Sequence, residues 1–387
     1  MDTIDQALVG VVAANHFFVR QFGLAGKVVV LDEIHAYDLY TSTLIDTLVR
    51  RLRELECTVI ILSATLTEKR RRELLSVDSE QPLTPTYPLI SGANALLTEW
   101  PRDPPTARTI HLRCVSSNGL VEEALERAQR GECVLWIRNT VDEAQETYRA
   151  LKSASVEGGP PIALLHSRFP FFRRDELETE WMERLGKDTA YRPAGCILVS
   201  TQVAEQSVDI DADLLITDLA PTDMLMQRLG WLWRHERPHR PCTRPEVWIH
   251  VPPLSDEALR STSEKGLREA LGKSVRVYAP YVLLRSLEQW RGRMAIALPD
   301  DIRPILEATY SDPAGDEPKV WECLRAQLSN RKRRWPMSPS TPHGSGPPPP
   351  SMTKKACRHA TAPTLWRSCF SYVRWSGWTV IRCAYGY

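Results

Sequence analysis

Apolar and polar positions follow two rhythms along this chain. Val28 to Leu31 is an unbroken apolar run that ends on Asp32 and Glu33. Such a run predicts a strand buried on both faces of a parallel sheet. From Tyr40 to Leu55 the rhythm changes. Leu44, Leu48 and Leu52 recur at every fourth residue, which predicts a helix with one apolar face. A second strand is expected at Val59–Leu62. Pro82, Pro85, Pro88, Pro101, Pro104 and Pro105 then interrupt both rhythms and read as a linker. Beyond it, Cys133–Ile137, Ile162–Leu165, Cys196–Ser200, Leu214–Thr217 and Val247–Val251 are short apolar runs separated by helical patterns such as Val141–Lys152. Strands alternating with helices predict a second parallel sheet.

The expected class is therefore α/β, with two lobes. Residues 1–95 form a partial first lobe, 96–108 a linker, 109–252 the second lobe and 253–330 a helical accessory region. Residues 331–387 form a tail expected to be disordered. The length of 387 residues suffices for two or three domains. No run of 18 apolar residues occurs, so no membrane span is expected. The first ten residues lack the form of a signal peptide. Nine cysteines form no Cys-x-x-Cys pair, which points away from zinc and redox motifs and toward a reduced, cytoplasmic protein. Cys133 and Cys196 lie inside apolar runs and read as packing residues.

The net charge of +1 hides an asymmetry. Ten of the 49 Lys and Arg lie in 331–387, a stretch without Asp or Glu, so residues 1–330 carry a net charge of −9. The body is not a nucleic-acid binder by bulk charge. The tail reads either as a basic nucleic-acid-binding segment with stacking tryptophans or as out-of-frame translation.

The chemistry-bearing residues sit at expected strand ends. Carboxylates beyond the carboxyl end of a parallel strand stand where open α/β sheets bind ligands. There Asp32 can hold Mg²⁺ on a nucleotide's phosphates, and Glu33 can orient and deprotonate water. An acidic loop after a core strand is the plainer reading. Ser63-Ala64-Thr65 ends the next strand. It reads as a hydrogen-bond relay or as a helix cap made by Thr65 or Thr67. In the second lobe, Ile197 to Gln202 is a strand with a polar end, continued by Val203 to Asp211. Gln227 to His235 reads as opening a helix whose arginines can face a triphosphate across a cleft.

In this order the motifs resemble those of superfamily 2 helicases, and among them the CRISPR-associated helicase–nuclease of type I systems. The matching residues are Thr3-Ile4-Asp5-Gln6, Leu31 to Asp38, Leu62 to Leu66, Asn139-Thr140-Val141, His166 to Phe169, Ser200 to Asp211 and Gln227 to His235. Val277-Tyr278 and the pattern at Leu283–Leu287 extend the resemblance to about Asp312. It implies two RecA-like lobes, the first incomplete, and an ATP-dependent motor on single-stranded DNA recruited by a crRNA-guided interference complex. By the same resemblance, Asp32 coordinates Mg²⁺ and Glu33 activates water. Ser63 and Thr65 couple hydrolysis to movement. Thr3, Thr140, Thr201 and Gln202 contact the DNA backbone. His35, Asp209, Gln227, Arg228 and Arg234 serve ATP, with Arg234 catalytic.

Three departures qualify this. No Gly-x-x-x-x-Gly-Lys-Ser/Thr loop occurs; Gly26-Lys27 runs into Val28, and Gly266 stands one residue too far from Gly272-Lys273-Ser274. Trp231 stands where the family has Arg and reads as packing between helices. No His-Asp pair marks a nuclease centre, and Pro238 interrupts the His235-x-x-x-His239 spacing. The chain is accordingly expected to be truncated within the first lobe, with an exposed sheet edge, and inactive alone as an ATPase. A non-catalytic protein that binds nucleic acid or the interference complex is the alternative. An RNA helicase of the same superfamily is a third reading.

Overall fold

The computed structural model describes residues 22–32, 39–76, 84, 86–93, 97–116, 119–188, 190–206, 209–313, 315, 317–334 and 379–383. Among them are two sheets. The first contains β1 (Val28–Leu31), β2 (Thr58–Ser63), β3 (Leu89–Ala93), β4 (Leu97–Pro101) and β12 (Thr379–Cys383), in the order β1-β2-β12-β3-β4. The second contains β5 (Arg108–Val115), β6 (Cys133–Ile137), β7 (Ile162–Leu165), β8 (Cys196–Ser200), β9 (Leu214–Asp218), β10 (Glu246–His250) and β11 (Ala295–Leu298). Its order is β11-β5-β10-β9-β6-β8-β7.

The second sheet is parallel except for β11, which runs antiparallel to β5. β6, β8 and β9 are buried at every residue, as their unbroken apolar runs require. Side chains alternate between two cores. Val134, Trp136, Ile197, Val199, Leu214 and Ile216 meet the Leu120–Gln129 and Val141–Ala154 helices. Cys133, Leu135, Ile137, Cys196, Leu198 and Leu215 meet Leu177 and Trp181 of the Phe171–Leu185 helix and the apolar residues of the Thr222–Leu229 and Pro280–Trp290 helices. Both cysteines are packing residues, as expected.

In the first sheet β1 and β2 are parallel, with Leu31 beside Ile61. Val59, Ile61 and Leu31 pack under Ile45, Leu48 and Leu52 of the Leu39–Glu54 helix, whereas Leu44 stays only partly buried. β1 is the outer strand among the described residues, and its Val28 and Val30 are 56% and 53% exposed. The expectation of a strand buried on both faces is corrected there, since only Leu31 of β1 is buried.

Several expectations need correction. The proline-rich stretch read as a linker holds the β3–β4 hairpin, and Leu97–Pro101 is a strand of the first sheet. The region read as helical lends β11 to the second sheet and leans on the first. Arg303 donates to the Thr84 carbonyl at 3.1 Å, and Lys69 pairs with Asp312 at 3.3 Å. Of the residues read as a disordered tail, 331–334 continue the Lys319–Arg334 helix. Thr379–Cys383 pairs between β2 and β3, and the remainder lies outside the described residues. Gln227-Arg228 closes a helix instead of opening one, because the Thr222–Leu229 helix ends at Gly230.

Candidate functional site

The carboxyl ends of β6, β8, β9 and β10 converge on one hydrogen-bond network. Arg228, fully buried, donates to Thr217 Oγ1 at 2.7 Å, Asn139 Oδ1 at 3.4 Å and Tyr278 Oη at 3.2 Å. Gln202 donates to the Asn139 carbonyl at 3.0 Å and to the same Tyr278 Oη at 3.2 Å. Asn139 Nδ2 donates to the Leu219 carbonyl at 2.7 Å and to Ser274 Oγ at 2.9 Å. The structure thus brings Gln202 and Arg228 together through Asn139 and Tyr278, neither of which the sequence reading assigned to the site, with Ser274 behind Asn139. It also settles the Gly266-to-Ser274 stretch. Gly266 lies in the Glu264–Ala270 helix, Lys273 pairs with Glu146 at 2.8 Å and Ser274 Oγ accepts from Asn139, so no phosphate cradle forms there.

Asp218 ends β9 and is buried. Burial alone raises a carboxyl's pKa, but the Arg138 guanidinium, the His250 ring and the Asn139 amide together outweigh it and hold Asp218 below its usual range. The distances are 3.1 Å, 3.3 Å and 2.8 Å respectively.

Thr140 caps the Val141–Ala154 helix. Its Oγ1 accepts from the Glu143 amide at 3.3 Å, an N-cap, and donates to the Glu143 carboxylate at 2.6 Å. Thr201 is buried beyond β8, and its amide donates to the Leu165 carbonyl at 3.2 Å.

The segment after Arg228 is pinned by its backbone. Arg108 donates to the carbonyls of Leu229, Leu232 and Trp233 at 3.2, 2.9 and 3.2 Å, in the manner of a basic residue at a helix C-terminus. The Arg234 amide donates to Asp211 at 2.8 Å. The Arg234 side chain remains one-third exposed, with Asp209 3.9 Å away, while His235 contacts the same Asp209 oxygen at 2.7 Å. Asp209, Arg234 and His235 therefore form one surface group. Beneath it, Asp211 and Asp213 are fully buried and shared by Arg192, Arg237 and Arg240. The sequence reading missed this cluster, whose only sign is the alternation of Asp209, Asp211 and Asp213 ahead of a basic run. Trp231 is 3% exposed and belongs to the core, as the packing reading expected.

Gln227 Oε1 is buried and has no hydrogen-bond partner among the described residues. Such an orphaned acceptor fits an amino or hydroxyl group of a bound ligand.

On the first sheet, Asp32 stands exposed just past β1, and Ser63 ends β2. Ser63 Oγ accepts from the Thr65 amide at 3.3 Å, and both residues are buried. Thr67, not Thr65, caps the next helix. One exposed carboxylate fits Mg²⁺, which takes one or two carboxylates together with water and phosphate oxygens. Among the described residues no group of His, Cys, Asp and Glu could hold a metal by itself. Thr3, Glu33 and His35 lie outside the described residues.

Motif residues at the carboxyl ends of two RecA-like sheets define a protein of the superfamily 2 helicase class. A family model described as CRISPR-associated nuclease/helicase Cas3, C-terminal, matches residues 130–237. The CRISPR-associated endonuclease/helicase Cas3 of Thermus thermophilus is 36% identical over 392 residues, covering 86% of this chain and 40% of that protein. The crystal structure of T. fusca Cas3-AMPPNP has a TM-score of 0.70 at 31% identity, over 86% of this chain and 40% of its own. A chain of a CRISPR RNA-guided surveillance complex, pre-nicking, has a TM-score of 0.69 at 29% identity, over 86% of this chain and 43% of its own. Over the segment it shares with them, this chain belongs to the Cas3 nuclease/helicase family. It spans about two-fifths of the length of these relatives.

No helix among the described residues is long and apolar enough to cross a membrane.

Proposed function

We propose that this chain carries the motor part of a CRISPR-associated DNA helicase, a cytoplasmic translocase on single-stranded DNA fuelled by ATP and engaged by a crRNA-guided complex. The observation that carries the reading is the placement of Asp32 and Ser63 at the ends of the parallel strands β1 and β2, in a chain similar to an AMPPNP-bound Cas3. Mg²⁺ supplies charge neutralisation on the triphosphate, and Asp32 holds it there. Glu33 takes the proton of the attacking water. Ser63 and Thr65 pass the change in the nucleotide site to the neighbouring lobe. Gln227 offers its orphaned Oε1 to the nucleotide, and Arg234 brings its half-free guanidinium to the γ-phosphoryl group. Asp209 borders the same site, and His35 is assigned to the nucleotide by the resemblance alone.

Arg228 takes a different part from the one the resemblance implies. Fully buried beneath Asn139, Thr217 and Tyr278, it holds the site's frame and stands back from the phosphates. Thr3, Thr140, Thr201 and Gln202 line the strand path. The first lobe is proposed to extend through the β3–β4 hairpin to Pro101, the second to begin with β5, and the helical region to run to Arg334.

These 387 residues contain no phosphate-binding loop, and by themselves they do not turn over ATP. That content favours a second reading, a protein that occupies single strands or the surveillance complex without hydrolysis. Phosphate release by the pure chain, with and without single-stranded DNA, decides between them when compared with Glu33→Gln. Background rates in both, with DNA binding indifferent to ATP, support the binding reading. Robust turnover lost in Glu33→Gln overturns the inactivity and supports the complete motor.

A further inference from the structure

The residues that follow β7 form a surface that the site above does not use. Phe171 and Phe172 open the Phe171–Leu185 helix and are 74% and 67% exposed. Single exposed apolar residues are ordinary, but two adjacent rings held two-thirds in water form a patch that a folded core has no use for. The loop that presents them is stiff. His166 stacks on Phe169 with ring centroids 4.3 Å apart, and its Nε2 lies 3.1 Å from Gln145.

The charges directly beside the rings are arginines, each paired with a carboxylate. The first turn of the helix contains no acid, and Arg173 and Arg174 follow the rings directly. The Arg174 guanidinium stands 5.7 Å from the centre of the Phe171 ring, and Arg168 is 63% exposed in the preceding loop. Their ion pairs with Glu178, Asp142 and Glu176 are exposed or half-exposed, a kind that contributes little and yields readily to another anion. Flat apolar faces beside exchangeable guanidinium groups are complementary to an anionic polymer that carries aromatic rings. The loop that carries the rings starts at Leu165, the last residue of β7, which accepts from the Thr201 amide and from Ser200 Oγ at the end of the neighbouring strand.

We propose that Phe171 and Phe172 are a base-stacking platform for single-stranded DNA, with Arg168, Arg173 and Arg174 on the adjoining phosphates. The proposal rests on the single-strand reading given above and adds a subsite to it.

The test is fluorescence anisotropy with the 387-residue chain and a labelled 20-nucleotide oligothymidine. Truncating both rings (Phe171→Ala with Phe172→Ala) is expected to weaken binding by roughly tenfold or more. A leucine pair at the same positions keeps apolar area without flat rings and is expected to lose the same affinity. An abasic strand of equal length is expected to bind the parent and both variants alike. Unchanged affinity of folded variants for oligothymidine overturns the platform and leaves the single-strand reading standing. If the variants instead lose self-association in sedimentation while DNA affinity holds, the rings belong to a contact between copies and the proposal is wrong. Failure of the parent itself to bind oligothymidine overturns the platform and the single-strand reading together.

Discussion

Arg240 holds Asp211 through both carboxylate oxygens, at 3.0 Å each. The same guanidinium reaches Asp213 at 2.7 Å and lies 4.8 Å from the Trp233 ring centre. Arg192 binds Asp213 from the other side at 2.7 Å, and Arg237 completes the cluster on Asp211. Asp211 also takes the Arg234 amide, so a buried set of charges fixes the backbone from which the proposed catalytic arginine projects.

Removing one member of this cluster leaves buried charge uncompensated. Asp211→Ala is expected to destabilise the second lobe by about 3–5 kcal/mol, and Asp211→Asn by less because it keeps the side-chain volume and one acceptor oxygen. Thermal unfolding followed by far-ultraviolet circular dichroism reads both. A melting temperature unchanged in Asp211→Ala would mean that the three arginines find water or other acceptors.

Tyr278 Oη is the shared acceptor for Gln202 and Arg228. Tyr278→Phe keeps the ring and removes the oxygen, leaving the buried Arg228 and the half-buried Gln202 each with one acceptor fewer. The expected loss is about 1–3 kcal/mol. The double variant with Gln202→Ala should lose less than the sum of the two single changes, since they share one contact. Strict additivity of the melting shifts would show that the tyrosine acts through packing alone.

Asp218 gives the second lobe an acid sensitivity whose sign follows from its surroundings. Arg138, His250 and the Asn139 amide hold its folded pKa below the unfolded value of about 3.9. A depressed carboxylate contributes stability that is complete above the unfolded value and is lost as pH falls through the folded one. Stability measured by urea titration should therefore decline below about pH 4. Arg138→Gln should lower the plateau at neutral pH and flatten that decline. A decline of the same steepness in the variant would assign the acid sensitivity to other carboxylates.

Legibility in the sequence followed physical kind. β6, β8 and β9 were readable because strands buried on both faces carry unbroken apolar runs. β3 and β4 were not. Leu89–Ala93 contains Ser91 and Gly92, and Leu97–Pro101 ends on a proline that the outermost strand of a sheet tolerates. β11 is four residues long and pairs through one neighbour, so it carries almost no pattern of its own. At the site, motif order placed Asp32, Ser63 and Gln202 at strand ends, where the structure has them, whereas Arg228 was read at the start of a helix that it closes. The partners were hidden, because Tyr278 reaches Gln202 and Arg228, and Arg192 reaches Asp213, from distant segments that no local period announces. Thr140 shows the converse. Its N-cap role is written in the threonine ahead of a helical pattern, yet the resemblance drew attention to DNA first.

Trp231 occupies the position at which the resemblance expects an arginine, and its burial makes a simple reversion costly. At 3% exposure in the apolar core, with its carbonyl accepting from the Ala212 amide at 2.8 Å, its side chain has no path to a nucleotide. Trp231→Ala should lose about 3–5 kcal/mol as a large cavity opens. Trp231→Arg should lose at least as much, since a guanidinium put in the same space leaves its charge unpaired among apolar groups. Comparing the two by thermal unfolding separates burial from function. If Trp231→Arg is as stable as the parent, the arginine has reached solvent by displacing the Gly230–Trp233 turn. A second cation would then stand beside Arg234, and tighter binding of ATP by that variant should follow.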